Sequence, residues 1–151
     1  MAYSSHNIPV GFHFRVNIED LGNNDIDIRF QEVSGLNINI GEDTHEEGGE
    51  NSFTHRLPGR VTYDKLVLKR GMLKDSKLIN WFRNAIESFQ FDPKNLTVTL
   101  LNSEHEPLEA WAFVQAYPIK WSVSPFNAQQ NELVIETIEL NFQYLRRLGL
   151  N

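Results

Sequence analysis

The stretch Phe12-His13-Phe14-Arg15-Val16-Asn17-Ile18-Glu19 decides the fold class. Its apolar residues fall at every second position, so in an extended chain they share one face while His13, Arg15, Asn17 and Glu19 take the other. That pattern predicts a strand with one buried side. Gly22-Asn23-Asn24-Asp25 follows, a run of turn-forming residues, and the alternation resumes at Ile26, Ile28 and Phe30. The two segments predict an antiparallel hairpin. Further along, Leu36 to Ile40 reads as a third strand after Ser34-Gly35. Val61 to Arg70 reads as a fourth, with Leu57-Pro58-Gly59 as a turn before it. Leu96 to Leu101, Leu108 to Tyr117, Ile119 to Val123 and Leu133 to Tyr144 complete the set, punctuated by Pro107, Pro118 and Pro125. In the last segment Leu133 and Ile135 keep one phase and Ile138, Leu140, Phe142 and Tyr144 the other, which predicts a bulge or burial of both faces.

One segment has a different period. Leu78, Trp81, Phe82, Ala85, Ile86 and Phe89 recur at helical spacing, predicting a helix from about Ser76 to Phe89 with Asp75 as N-cap and Asp92-Pro93 beyond its end. The residues thus predict one helix packed on an otherwise β domain.

A chain of 151 residues suits one domain able to bury roughly two-thirds of its unfolded surface. The absence of cysteine excludes disulfides, thiolate metal sites and Cys nucleophiles, and fits synthesis in a reducing cytoplasm. A formal charge of −6 argues against a general grip on nucleic acid, which needs clustered Lys and Arg facing phosphate. Met1 to Asn7 lacks the basic and apolar runs of an export signal, and no apolar stretch is long enough for a membrane span, so a soluble protein is expected.

Candidate chemistry is sparse. Gly41 to Asn51 carries Glu42, Asp43, Glu46, Glu47 and Glu50 around Gly48-Gly49 and reads as an exposed, mobile acidic loop, taken as 41–56 with its flanks. His45, Glu46, Glu47, Glu50 and His55 offer nitrogen and oxygen donors, but their spacing fits no metal motif and two glycines leave little to preorganise ligands. His6, His13 and His105 have no sequence partner resembling a nucleophile elbow or an acid–base pair. Gly48-Gly49 and Ser34-Gly35 do not lie between a strand and a helix N-terminus, so they are turn glycines, not phosphate cradles. No catalytic, cofactor or metal set can be named. The basic trio Lys65, Lys69 and Arg70 suits either a solvated strand face or an acidic partner surface, and Trp111 and Trp121 suit core or interface.

Trp111-Ala112-Phe113-Val114 and Leu133-Val134-Ile135 are apolar on both faces, whereas a small antiparallel sheet usually leaves one face to water. A single helix covers one patch. Burial between subunits accounts for several such segments together.

Phe30-Gln31-Glu32-Val33-Ser34-Gly35-Leu36, Glu47-Gly48-Gly49-Glu50-Asn51, Leu57-Pro58-Gly59, Leu66-Val67-Leu68-Lys69-Arg70-Gly71, Ala110-Trp111 to Lys120-Trp121, and Asn131-Glu132 to Ile138-Glu139-Leu140 occur in this order. Jointly, over nearly the whole chain, they resemble the inner-tube proteins of contractile phage tails and contractile injection systems. The resemblance implies two packed antiparallel sheets forming a small barrel-like sandwich with one flanking helix, similar to the type VI secretion tube protein. It implies a structural subunit without enzymatic activity or cofactor, closing into hexameric rings stacked as a rigid channel. The implied partners are further copies of itself, a sheath protein, tube-initiator or baseplate proteins, and DNA or protein cargo passing through the lumen without stable binding. The implied location is the cytoplasm of the producing cell and then the assembled particle. Glu42, Asp43, Glu46, Glu47, Glu50 and Asn51 occupy the place of the family's long loop that reaches a neighbouring copy. With Lys65, Lys69, Arg70, Trp111 and Trp121 they are the candidate subunit-interface residues. Two rivals stay open: a tube-initiator ring of the same fold, and a monomeric β-sandwich that stacks a ligand on Trp111 or Trp121.

Overall fold

The computed structural model describes residues 13–21, 29–45, 55–72, 76–125, 129 and 133–149. In chain order the elements are β1 His13–Ile18, β2 Arg29–Phe30, β3 Glu32–Ser34, β4 Ile38–His45, β5 His55–Tyr63, β6 Leu66–Gly71, α1 Lys77–Glu87, β7 Lys94–Leu101, β8 Pro107–Val123, β9 Ile135–Asn141 and β10 Tyr144–Leu148. Eight strands form one antiparallel sheet in the order β2-β1-β7-β8-β9-β6-β3, with β10 also on β8, and β4 pairs with β5 in a separate two-stranded ribbon.

The antiparallel pairing read from the opening alternation is present at its described end, with Phe14 opposite Phe30 and Arg15 opposite Arg29; the expected turn Gly22-Asn23-Asn24-Asp25 and Ile26 and Ile28 lie outside the described residues. Val16 is the most buried residue of β1, and Phe14 and Ile18 pack beside it against the core. The mainly β fold with two antiparallel sheets and one helix agrees with the expectation, and the larger sheet is not closed into a barrel. Its end strands β2 and β3 are consecutive in the chain, joined through Gln31, whose N–H donates to the Lys69 carbonyl at 2.9 Å.

β8 organises the sheet. Its first half lies between β7 and β10, with Phe113 opposite both Leu96 and Leu145. Its second half pairs with β9, Trp121 opposite Ile138. Two strands separated by Pro118 were expected here; the structure has one strand of 17 residues. Pro118 is accommodated at a register shift between Pro118 and Lys120, so the missing N–H falls where the ladder is already irregular. The bend begins at Gln115, which has φ 55° and donates its N–H to the Asn95 side chain at 3.1 Å. The core then draws Leu66, Leu68, Val98, Phe113, Ile138 and Leu140 from both halves of the folded sheet.

Three further readings are corrected. The N-cap of α1 is Ser76, whose hydroxyl accepts from the Ile79 N–H at 3.4 Å; Asp75 lies outside the described residues. The helix buries Leu78, Trp81, Phe82 and Ala85 as expected, but it ends at Glu87, leaving Ile86 and Phe89 exposed. The last predicted strand divides at Phe142 and Gln143 into β9 and β10, which pair with successive stretches of β8. Gly35 sits where the chain leaves β3 with φ +91°, and a Cβ there would stand 2.0 Å from the Lys65 carbonyl oxygen. Only glycine fits that crossing. Among the described residues no helix is long and apolar enough to cross a membrane.

Candidate assembly interface

The start of the acidic segment and the Leu57-Pro58-Gly59 turn lie in the two strands of a ribbon, and residues 46–54 lie outside the described residues. Residues Gly41 to His45 continue β4, and Leu57, Pro58 and Gly59 lie within β5, with Asp43 opposite Leu57 and Glu42 opposite Pro58. Proline is tolerated because a two-stranded ribbon consists of edges, so one side of each strand has no ladder bond to lose. Glycine serves close approach here: a Cβ on Gly59 would come 3.0 Å from the Gly41 carbonyl oxygen, beside the register shift between Ile40 and Glu42.

Residues directly opposite in an antiparallel pair project from the same face. Ile38 faces Tyr63 and Ile40 faces Val61 on one side of the ribbon; the register shift between Ile40 and Glu42 reverses the phase of β5, so Leu57, opposite Asp43, projects from the other side. Tyr63 turns toward the body, its ring 5.5 Å from that of Phe142. Ile38, Ile40, Leu57 and Val61 do not; they are 53, 64, 53 and 49% exposed. Asn37 and Asn39 donate to Asp64 at 2.9 and 3.3 Å, fixing the base of the ribbon.

The remaining interface candidates separate by environment. Glu42 and Asp43 are exposed on the ribbon, with Glu42 3.8 Å from Arg56. Glu46, Glu47, Glu50 and Asn51 lie outside the described residues. Lys65 contacts Glu139 at 2.9 Å, and Lys69 stands 3.8 Å from Glu32. Arg70 differs from its sequence reading: it is 2% exposed, donates to Glu136 at 2.9 Å and to the Ser76 hydroxyl at 3.0 Å, and lies 5.0 Å from the Phe30 ring centre. A cation so held is accounted for inside the subunit. Trp111 is half-buried against the core, and Trp121 donates its indole N–H to Glu136 at 2.7 Å. The exposed edge of Trp121 lines a groove of about 250 Å³ with Ile79, Phe82, Arg83, Ile86 and Glu87 of α1. His45 and His55 are opposite each other in the ribbon ladder.

On the β10 edge, Arg147 donates to Glu109 at 2.7 Å, and that bond holds the Glu109 carboxyl below its ordinary range. The outward apolar residues of the ribbon were missed in sequence because the acidic composition of 42–50 outweighed the short alternations Ile38-Ile40 and Val61-Tyr63. The aromatic group Phe89, Phe91 and Tyr117, with ring centres 4.9 and 6.0 Å apart, was also missed. Phe89 has φ 50° and is 80% exposed, a conformation in which glycine is usual.

The family model of the T4-like virus tail tube protein gp19 matches residues 10–146. No curated protein sequence matches the chain. Among solved structures, a chain in the six-fold symmetrised cryo-EM structure of the anti-feeding prophage (AFP) baseplate is similar over 97% of this chain and 98% of its own, with TM-score 0.81 and 31% identity. A chain of the PVC sheath–tube complex, an extracellular contractile injection system in its extended state, aligns over 97% of this chain and 95% of its own at TM-score 0.78 and 24% identity. A type six secretion system protein aligns over 89 and 81% at TM-score 0.62 and 13% identity. The last two likenesses are of fold alone.

Proposed function

This chain belongs to the family of T4-like virus tail tube proteins, and from that premise we propose that its copies close into hexameric rings which stack into the inner tube of a contractile injection machine. The observation that carries the reading is the uncovered apolar face of the β4–β5 ribbon. An isolated two-stranded ribbon is marginal in water. Burying the three half-exposed aliphatic side chains of that face, Ile38, Ile40 and Val61, contributes on the order of 1 kcal/mol each, enough to decide whether such a ribbon holds its shape. A neighbouring copy supplies the cover, and the acidic flank of the ribbon selects the register against basic residues of that neighbour, Lys65 and Lys69 being the candidates. Head-to-tail contacts of this kind generate rings where the rotation closes and filaments where it does not.

In this reading the subunit's work is mechanical: a stiff, closed channel through which DNA or protein cargo passes, enclosed by a sheath and seated on a baseplate. The subunit is made in the cytoplasm and carries no catalytic role. A second reading is favoured by the similarity to a chain of the AFP baseplate structure: a ring of the same fold at the end of the tube. Negative-stain electron microscopy across a concentration series, with mass in solution, tests both. Stacked tubes are expected; single rings that never stack support the end-ring reading, and a monomer at every concentration overturns both.

A further inference from the structure

Beyond the ribbon, the described surface holds a concentration of basic groups at the start of β1. His13 Nε2 and His105 Nδ1 are 2.8 Å apart, their rings meeting edge to face with centres 4.7 Å apart. The two histidines line a cavity of about 280 Å³ with Arg29, Phe30, Gln31, Arg70 and Gly71. Arg15 lies on the same strand two residues beyond His13 and directly opposite Arg29 in the hairpin register. Like charges placed opposite each other across a ladder repel. Among the described residues neither arginine has a carboxylate partner, and the buried Nε of Arg15 has no hydrogen-bond acceptor.

We propose that His13, Arg29, Gln31 and His105 form a binding site for a small tetrahedral oxyanion of the sulfate or phosphate type. The paired imidazoles are the argument against a metal cation. Two ring nitrogens at this separation resemble half of a metal site, but Arg15 and Arg29 oppose a cation and favour an anion. Where the rings touch, one nitrogen donates and the other accepts, so the pair shares a single proton along the contact. Uptake of a second proton removes the acceptor and leaves two N–H groups on converging rings. An oxyanion oxygen then accepts from both, and a second oxygen accepts from the Arg29 guanidinium. Binding is therefore coupled to protonation of the pair and weakens as pH rises.

The charged groups facing His13 are His105 from the β7–β8 turn, Arg29 from β2 and Arg15 on its own strand; the β7 residues opposite His13 and Arg15 are Leu101 and Thr99. The neighbouring Glu106 carboxylate accepts from the Asn102 side chain at 3.1 Å. His13 is held below its ordinary value by partial burial, then by His105 and Arg29, so the pair is ready to take up a proton when an anion arrives. The site stands on its own geometry, independent of the tube assignment.

The test is calorimetric titration of the full chain with sodium sulfate near pH 6.5 and near pH 8, against sodium chloride at matched ionic strength, in two buffers of different ionisation enthalpy. Expected are a saturable sulfate heat absent with chloride, proton uptake at the lower pH, and weaker binding at the higher. Arg29→Gln weakens sulfate binding at least about tenfold, through loss of a charged donor. His105→Gln, on an exposed turn, abolishes the proton uptake while circular dichroism reports an unchanged fold. Lys120→Gln, remote from the site, changes neither. Heat that does not saturate, equal binding by Arg29→Gln, or saturable zinc binding without sulfate binding overturns the proposal.

Discussion

Replacing Arg70 with Met retains an unbranched stem and removes the guanidinium from a network that joins four elements. Glu136 is 0% exposed, and of its two carboxylate oxygens one accepts from Arg70 and the other from the Trp121 indole. Without Arg70 the carboxylate stays buried with its countercharge gone, and Ser76 loses a donor at the start of α1. Breaking a buried pair by removing one partner costs about 3–5 kcal/mol, a large share of what holds a domain folded. For a chain of this length that loss lowers Tm by on the order of 10 °C. Arg70→Met with Glu136→Leu removes both charges; the indole N–H of Trp121, a side chain already partly open to solvent, loses its acceptor, and the Ser76 hydroxyl loses the Arg70 donor but keeps the Ile79 N–H. The double variant is therefore expected to lose less than the sum of the single changes and to recover a good part of the first loss. Urea unfolding of the free subunit, followed by circular dichroism and tryptophan fluorescence, gives all four corners of the cycle. A single-variant loss under about 1 kcal/mol, or strict additivity, would show that the pair is a solvated contact and refute the reasoning.

Gly35→Ala should cost about 2–4 kcal/mol, since a Cβ at 2.0 Å from a backbone oxygen forces the β5–β6 link to move and the residue keeps a positive φ; thermal unfolding reads it. Ile40→Asp is expected to leave the unfolding midpoint of the monomer within about 0.5 kcal/mol, as surface changes do, while abolishing rings or tubes under the electron microscope. Normal assembly by that variant removes the ribbon from the interface. For His13 the sign follows from a native pKa lowered below the unfolded one. The unfolded chain binds the extra proton first, so stability declines as pH falls below about 6.5. His105→Gln should make that decline shallower, measured as urea midpoints from pH 7.5 to 5. Glu109 is lowered as well, chiefly by the Arg147 hydrogen bond, so its small contribution is present at neutral pH and is lost in acid below the ordinary carboxylate range.

Alternation over 12–19 identified β1 because Val16 is buried and Phe14 and Ile18 pack beside it on the same face, and the helix was legible because Leu78, Trp81, Phe82 and Ala85 pack on one side. What stayed hidden depends on residues far apart in the chain. Pro118 reads as a terminator until β9 supplies a register shift for it, and Pro58-Gly59 reads as a turn until Gly41 arrives across the ribbon. Arg70 resembles its neighbours Lys65 and Lys69 in composition, yet Glu136, 66 positions later, draws it inside. Likewise His13 and His105, 92 positions apart, have no local signal that they meet.

The 17-residue β8 has a kinetic corollary. Its second half requires β9 and its first half both β7 and β10, so the sheet is not complete until residues 144–148 have left the ribosome. Pairing over such sequence separations is slow, because each closure precedes the contacts that reward it. During synthesis a growing chain thus carries an unsatisfied β8 edge alongside an unshielded ribbon, two surfaces open to strand addition at once. That interval is the period of greatest aggregation risk. A chaperone acting on this chain is therefore expected to engage it before β10 emerges.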